Sequence, residues 1–204
     1  MDKEFWDGRF SGEEYIYGEE PNEYFKEKLL EFLPGEILFA AEGEGRNAVF
    51  AAEEAWKVGA FDQSSEAKKK AEKLAKKRGV EIEYKVGKLP ELGYEKEEFD
   101  AVALIYAHFP PEIRADYHKR LISYLRRDGL VFFEGFSEKH PAYQQVNPKV
   151  GGPKDEALLF SMEEIKKDFG ELKFLEFYEA EVDLKEGVHH KGLGSVIRFV
   201  AQKK

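Results

Sequence analysis

The residues best suited to chemistry gather in one short turn, Glu42-Gly43-Glu44-Gly45-Arg46-Asn47-Ala48. It follows a continuous apolar run, Ile37 to Ala41, and leads into a helical stretch. The glycines let the backbone turn tightly and approach a ligand, and the helix end presents free N–H groups. Two cofactor classes use such a turn. A dinucleotide wants Gly-x-Gly-x-x-Gly/Ala, and Gly43, Gly45 and Ala48 satisfy that spacing. Asp62, at the end of the next apolar run, suits ribose hydroxyls in either case, so spacing alone does not decide.

Charge separates the two. Glu42 and Glu44 lie in the turn, and Arg46 is its only basic residue. A pyrophosphate there meets like charges, at a cost on the order of 1 kcal/mol or more near a surface. S-adenosylmethionine carries a sulfonium, an ammonium and one carboxylate, and is net positive. Acids beside the turn suit it, and the helix N–H groups can take its carboxylate. The turn therefore reads as a methyl-donor site, with a dinucleotide as runner-up. A plain strand–helix junction would make odd use of two Gly and two Glu at a buried strand end.

Other side chains are candidates by position. His108 follows the fourth apolar run and is the best polar group for a reacting methyl. Lys149 and Lys154 flank Gly151-Gly152-Pro153, in a loop that could cover an acceptor, and are candidate anion contacts. His189-His190 has no acid at ligand spacing, so no metal is expected. The run Lys68-Lys69-Lys70 reads as a solvated helix face. Methyl transfer is an in-line displacement that needs alignment above all. A base is needed only when the nucleophile holds a proton. The lack of any cysteine, or of a Ser-His-Asp set, is thus no objection.

These residues need elements to position them. Residues 1–21 form an aromatic extension (Phe5, Trp6, Phe10, Tyr15, Tyr17) that packs as a flap, covers a ligand, or does both. Asn22 caps a helix to about Leu33, stopped by Pro34-Gly35. Ile37–Ala41 is a strand buried on both faces, and Arg46 to about Ala55 a helix. Trp56–Phe61 is the second strand. Ser64 or Ser65 caps a Lys-rich helix that Gly79 ends. Val80–Val86 and Phe99–Tyr106 are further strands. Pro111 opens a helix whose stripe is Ile113, Tyr117, Leu121 and Leu125. Leu130–Phe133 is the fifth strand, and residues 134–160 an irregular segment. Ser161 and Glu164 form a capping box for a helix to Gly170. Phe174–Leu184 and Ser195–Gln202 close the chain as two strands joined by a turn. Strands alternating with helices imply an α/β, doubly wound, mostly parallel sheet with helices on both faces. The closing pair adds one antiparallel strand at an edge.

The chain has 204 residues, enough for one full core, and no linker divides it. Lys+Arg is 32 and Asp+Glu 41, a net charge of −9, which disfavours nucleic acid as partner. No apolar run reaches membrane-spanning length and no signal peptide is visible, so a cytoplasmic protein is expected.

Taken together, these motifs resemble the S-adenosylmethionine-dependent methyltransferases of the Rossmann-like class, and most closely the tellurite-resistance and thiopurine methyltransferase branch. The carrying residues are Phe5-Trp6-Asp7-Gly8-Arg9-Phe10, Tyr17-Gly18-Glu19-Glu20-Pro21-Asn22, Ala41 to Asn47, Phe61-Asp62-Gln63-Ser64, Phe99-Asp100-Ala101-Val102, Ala107-His108-Phe109-Pro110-Pro111, Asp128-Gly129 and Val150 to Asp155. The resemblance implies seven strands, the last antiparallel. It implies Asp62 on the ribose, Gln63 beside the adenine, and Gly87-Lys88-Leu89 at the adenine edge. Tyr106 to Phe109, with Ala107 among them, would border the methyl, and Tyr17 would close over the cofactor. In the tellurite-resistance enzymes a His followed by a basic residue lies near the site in a late loop, which makes His190 and Lys191 candidate substrate contacts. Three departures stand out: Phe39 replaces an acid, Ala41 a glycine and Lys88 an aspartate. Glu42 is the candidate replacement for the missing acid, as partner of the cofactor's ammonium. The expected acceptor is a small molecule, a soft anion or a thiol. The expected assembly is a monomer or homodimer. The alternatives are a single-domain NAD(P)-dependent oxidoreductase and an inactive S-adenosylmethionine-binding module. Against the former, Tyr117 is followed at Tyr-x-x-x-Lys spacing by Leu121 rather than lysine.

Overall fold

Strand β1, Glu36–Ala40, runs through the middle of the sheet, and four of its five residues are buried. Its alternation serves two layers: Ile37 and Phe39 enter one core cluster, Leu38 and Ala40 the other. The computed structural model describes residues 2–204, and Met1 lies outside the described residues. The remaining strands are β2 (Lys57–Asp62), β3 (Glu83–Val86), β4 (Phe99–Ile105), β5 (Leu125–Phe136), β6 (Lys173–Glu186) and β7 (His190–Gln202). They form one seven-stranded sheet in the order β3-β2-β1-β4-β5-β7-β6. The first five pair in parallel, while β7 runs antiparallel to both β5 and β6. The antiparallel strand thus belongs to the edge pair, one place in from the outermost strand.

Helices cover both faces. On one side lie α2 (Glu23–Leu29), α3 (Arg46–Glu53) and α4 (Ser65–Arg78), which bring Phe25, Phe50 and Ala71 to the sheet. On the other lie α5 (Pro111–Tyr124) and α7 (Met162–Phe169), with Tyr117, Leu121, Ile165 and Phe169. Helix α1 (Lys3–Phe10) sits on the N-terminus of α4, and α6 (His140–Val146) against β7. Among the described residues no helix is long and apolar enough to cross a membrane.

Several boundaries move. Helix α2 stops at Leu29, and Leu33 is 90% exposed, so it has nothing to bury against. Ile113 is on the surface, and Tyr117, Leu121 and Ile122 carry the buried stripe of α5. Leu125 already belongs to β5, which extends to Phe136. The segment expected to be irregular contains α6 and two short 3-10 turns. Ser161 caps α7 by accepting from the Glu164 N–H, but the Glu164 carboxylate turns away to Arg114 at 2.7 Å, so the box is half made. Both final strands are longer than the alternation suggests, and His190 and Lys191 sit in β7 rather than in the turn.

Candidate cofactor and acceptor site

The turn after β1 is built as its composition suggests. Gly45 has φ of 89°, and a Cβ on it would come within 2.6 Å of the Ala71 Cβ, so only glycine lets α3 approach α4. Ala41, where the resembling family often has glycine, takes φ of 51°. That is strained for an L-residue, and such strain gathers at ligand sites.

The turn's two acids have different fates. Glu42 is buried, and its Oε1 accepts from the N–H groups of Asn47 (2.9 Å) and Ala48 (2.8 Å). The first amides of α3 are therefore already capped, which corrects the expectation that they would receive the cofactor's carboxylate. The Asn47 side chain also bonds this carboxylate, and no cation forms an ion pair with it among the described residues. Burial pushes Glu42 up to about 7, against the pull of the two amides and of the Arg46 charge. Glu44 is neutralised: Lys70 donates to its Oε1 at 2.7 Å, and the Tyr17 N–H to its Oε2 at 3.3 Å. Lys70 is accordingly buried rather than on a solvated face, and Glu44 carries no free charge for a ligand. Asp62 repeats the situation of Glu42. Its oxygens accept from Gly43 N–H (3.1 Å) and Ser64 N–H (2.9 Å), no cation pairs with it among the described residues, and burial pushes it up to about 6.

Arg46 donates to the Tyr17 carbonyl (3.2 Å) and to Glu186 Oε2 (2.9 Å), and the Asn47 Oδ1 accepts from Asn22 N–H at 2.9 Å. Both are used to tie segments together. Gln63 is half-buried beside Asp62. Gly87 donates its N–H to the Asp62 carbonyl at 3.0 Å. Lys88 is exposed, whereas the Leu89 and Ala107 side chains lie inside the core, so at these two positions only backbone can face a ligand.

Residues 2–22 form a strap across this turn. Asp7 accepts from the Ser64 hydroxyl (2.6 Å) and the Glu66 N–H (3.3 Å), reinforcing the cap of α4. Phe10 is buried directly over Gly43. Tyr17 is held by Glu44, by Arg46 and, at its hydroxyl, by Arg9, and its ring lies 4.7 Å from that of His190.

The two candidate histidines also part company. His108 has both ring nitrogens engaged with backbone: Nδ1 with the Leu158 carbonyl at 2.8 Å, and Nε2 accepting from the Phe136 N–H at 3.3 Å. Burial pushes it down to about 3. This corrects its assignment as the polar group at the methyl: it ties the 158 region to β5 and has no nitrogen left for a substrate. His190 is 4% exposed and lies among the rings of Tyr17, Tyr106 and Phe136. Its Nδ1 meets Glu186 Oε2 at 2.8 Å. Burial lowers its pKa, and Glu186 opposes the shift. Burial alone would raise Glu186, but Arg46 and His190 hold it down at about 2. Lys149, Lys154 and Lys191 are all exposed. The Asn147 amide donates to the Lys191 carbonyl at 2.9 Å, so Lys149 and Lys191 share one surface beside His190, with no ion-pair partner among the described residues.

The polar centre that sequence reasoning missed is the set around Glu134. This residue is fully buried in β5 and accepts from Asn22 Nδ2 (2.8 Å), the Tyr106 hydroxyl and Arg198 Nε. The available signal was an acid alone in the apolar run of residues 130–136. Tyr106 itself has φ of 57° at the end of β4, a second strained residue at the strand ends. A cleft of about 440 Å3 opens between residues 17–23 and 182–187, with Glu134 and Arg198 among its lining. A second, of about 330 Å3, lies at the opposite end of the sheet among Glu36, Lys57 and Glu83, away from the carboxyl ends of the strands where such folds bind ligands. Among the described residues no group of three His, Cys, Asp or Glu side chains could hold a metal ion.

Residues 37–129, just under half of the chain, match a family model described as a methyltransferase domain. Among curated proteins, none matches the sequence. Solved structures resemble it over most of its length. One comes from work on the conversion of a disulfide bond into a thioacetal group during echinomycin biosynthesis (18% identity, 99% of this chain and 92% of that one, TM-score 0.79). Another is a SAM-dependent methyltransferase from Methanosarcina mazei (19% identity, 84% and 93%, TM-score 0.66). A third is TehB from Haemophilus influenzae (13% identity, 99% and 67%, TM-score 0.72). The fold is that of the Rossmann-like methyltransferases.

Proposed function

We propose that the protein is an S-adenosylmethionine-dependent methyltransferase acting on a small-molecule acceptor, in the neighbourhood of the tellurite-resistance and thiopurine branch. The observation that carries this reading is the pair of buried carboxylates beside the glycine turn, Glu42 and Asp62, which lack any paired cation among the described residues. A buried acid left without a counter-charge favours a ligand that brings one. The same turn opposes a dinucleotide, because Glu42 already fills the α3 amides that a pyrophosphate would use. The match of residues 37–129 and the strand order support the same choice.

The residues present fit the cofactor. Glu42 has only uncharged donors around it and would pair with an ammonium, and Asp62 stands at the end of β2 for ribose hydroxyls. When bound, the cofactor supplies a methyl group already activated by its sulfonium. The protein's part is to bind it, to close Phe10 and Tyr17 over it, and to align an acceptor near Tyr106 and His190 while excluding water. Calorimetric titration with S-adenosylmethionine and with NADH tests the reading. Micromolar binding of the first and none of the second is expected, and NADH binding alone overturns it.

A further inference from the structure

We propose that Glu186 is a positioning residue that holds His190 as a proton acceptor, and that the methyl acceptor is a nucleophile which still carries its proton at neutral pH, such as a thiol, a hydroxyl or an ammonium. This rests on the methyl-transfer reading above.

The geometry is specific. Glu186 ends β6 and His190 begins β7, so the turn between them folds the two side chains together at 2.8 Å. Glu186 cannot swing away, because Oε1 also accepts from Asn22 Nδ2 (2.9 Å) and Oε2 from Arg46 (2.9 Å). A carboxylate at Nδ1 fixes the tautomer with Nδ1–H donated, and leaves the lone pair on Nε2. Among the described residues nothing bonds Nε2, whereas His108 and His140 use both nitrogens. The surrounding rings of Tyr17 and Tyr106 belong to the strap and to the strained end of β4, so His190 stands where those two segments meet. Arg46, directly after the glycine turn, ties the pair to the cofactor side.

The charged groups facing His190 act in opposite senses: Glu186 favours its protonation, while Arg46 and His189 oppose it. In the proposed step the acceptor's proton passes to Nε2, the bonding pair stays on the acceptor's heteroatom, and the imidazolium faces the Glu186 carboxylate. An acceptor that is already an anion needs no such pair. The cleft that Glu186 itself lines is acidic, with Glu19, Glu20, Glu23, Glu134 and Asp183 against Lys185 and Arg198. This favours a protic acceptor over the soft anion admitted by the sequence.

Nitrogen-15 NMR of the histidine rings in the cofactor-free protein tests the pair without any turnover. His190 is expected as the Nδ1–H tautomer, with its pKa falling in Glu186→Gln and recovering in part in Glu186→Asp, which also serves if the first variant does not fold. An Nε2–H tautomer in the wild type, or a titration indifferent to both variants, overturns the pair. An acceptor panel of a thiol, a phenol and a primary amine against selenite and tellurite tests the rest. Turnover of a protic acceptor that falls about tenfold or more in His190→Gln is expected. Turnover confined to the oxyanions, no turnover at all, or protic turnover unchanged in His190→Gln overturns it. Failure to bind S-adenosylmethionine would remove the methyl-transfer reading while leaving the tautomer result intact.

Discussion

Glu42 and Glu186 are the same side chain, both shut away from water, yet one is pushed up to about 7 and the other held down at about 2. Their company accounts for the difference. At the glycine turn Glu42 has two backbone amides and the Asn47 side chain, all of them uncharged. At the hairpin Glu186 has a guanidinium, an imidazole and an amide. Desolvation opposes the charge in both places, and only at the hairpin does the protein supply enough positive charge to outweigh it. The hairpin is therefore assembled in advance, while the turn is left one cation short. Glu44, two residues along, shows that the chain can fill such a gap when it has a lysine to spend on it.

Removing that lysine should give the largest effect. Lys70→Ala leaves Glu44 buried and unpaired, and is expected to cost about 3–5 kcal/mol of stability in urea denaturation. A smaller cost would mean that Glu44 finds water or another donor.

The next effect concerns Glu42 itself. Glu42→Gln keeps an oxygen for the α3 amides and removes the charge, so S-adenosylmethionine affinity should fall by about 10- to 100-fold, as for loss of a charged hydrogen bond. A cation arriving beside Glu42 lowers its pKa, so wild-type binding near pH 7 should release protons, seen by calorimetry in buffers of different ionisation enthalpy, and the variant should release fewer. The sign for stability is the reverse of the usual carboxylate. The folded pKa lies above the ordinary value of a glutamate, so Glu42's contribution is greatest at low pH and declines as pH rises towards 7. Glu42→Gln should therefore gain on the wild type across that window.

The smallest effect tests the cover over the turn. Asp7→Ala removes an acceptor for Ser64 and Glu66 from an exposed helix whose buried side chain is Phe10. Global stability should hardly change. The emission of Trp6 should shift to the red, while Trp56, deep in the core, stays constant. An unchanged spectrum would mean that Phe10 alone holds the cover in place.

Much of this was legible in advance because it depends on neighbours in sequence. Ile37–Ala41, Phe99–Tyr106 and the caps at Asn22, Ser64 and Ser161 follow from local pattern, and so does the glycine turn. The chemistry of individual acids was not legible, because each depends on a partner far along the chain. Glu44 and Lys70 are 26 residues apart, and Arg46 and Glu186 are 140. From the sequence Glu42 and Glu44 look alike, and so do His108 and His190. What separates them is which groups the sheet brings to each, and that requires the strand order.

The meeting of the strap with the last hairpin has a consequence for biosynthesis. Asn22 donates to Glu186 across 164 residues, and the Ile16 carbonyl accepts from the Val188 N–H. Translation runs from the N-terminus, so residues 16–22 leave the ribosome long before their partners exist. Residues 16–22 therefore stay without these particular partners until residues 186–188 emerge, and this end of the strap is tied down only after most of the sheet has been made.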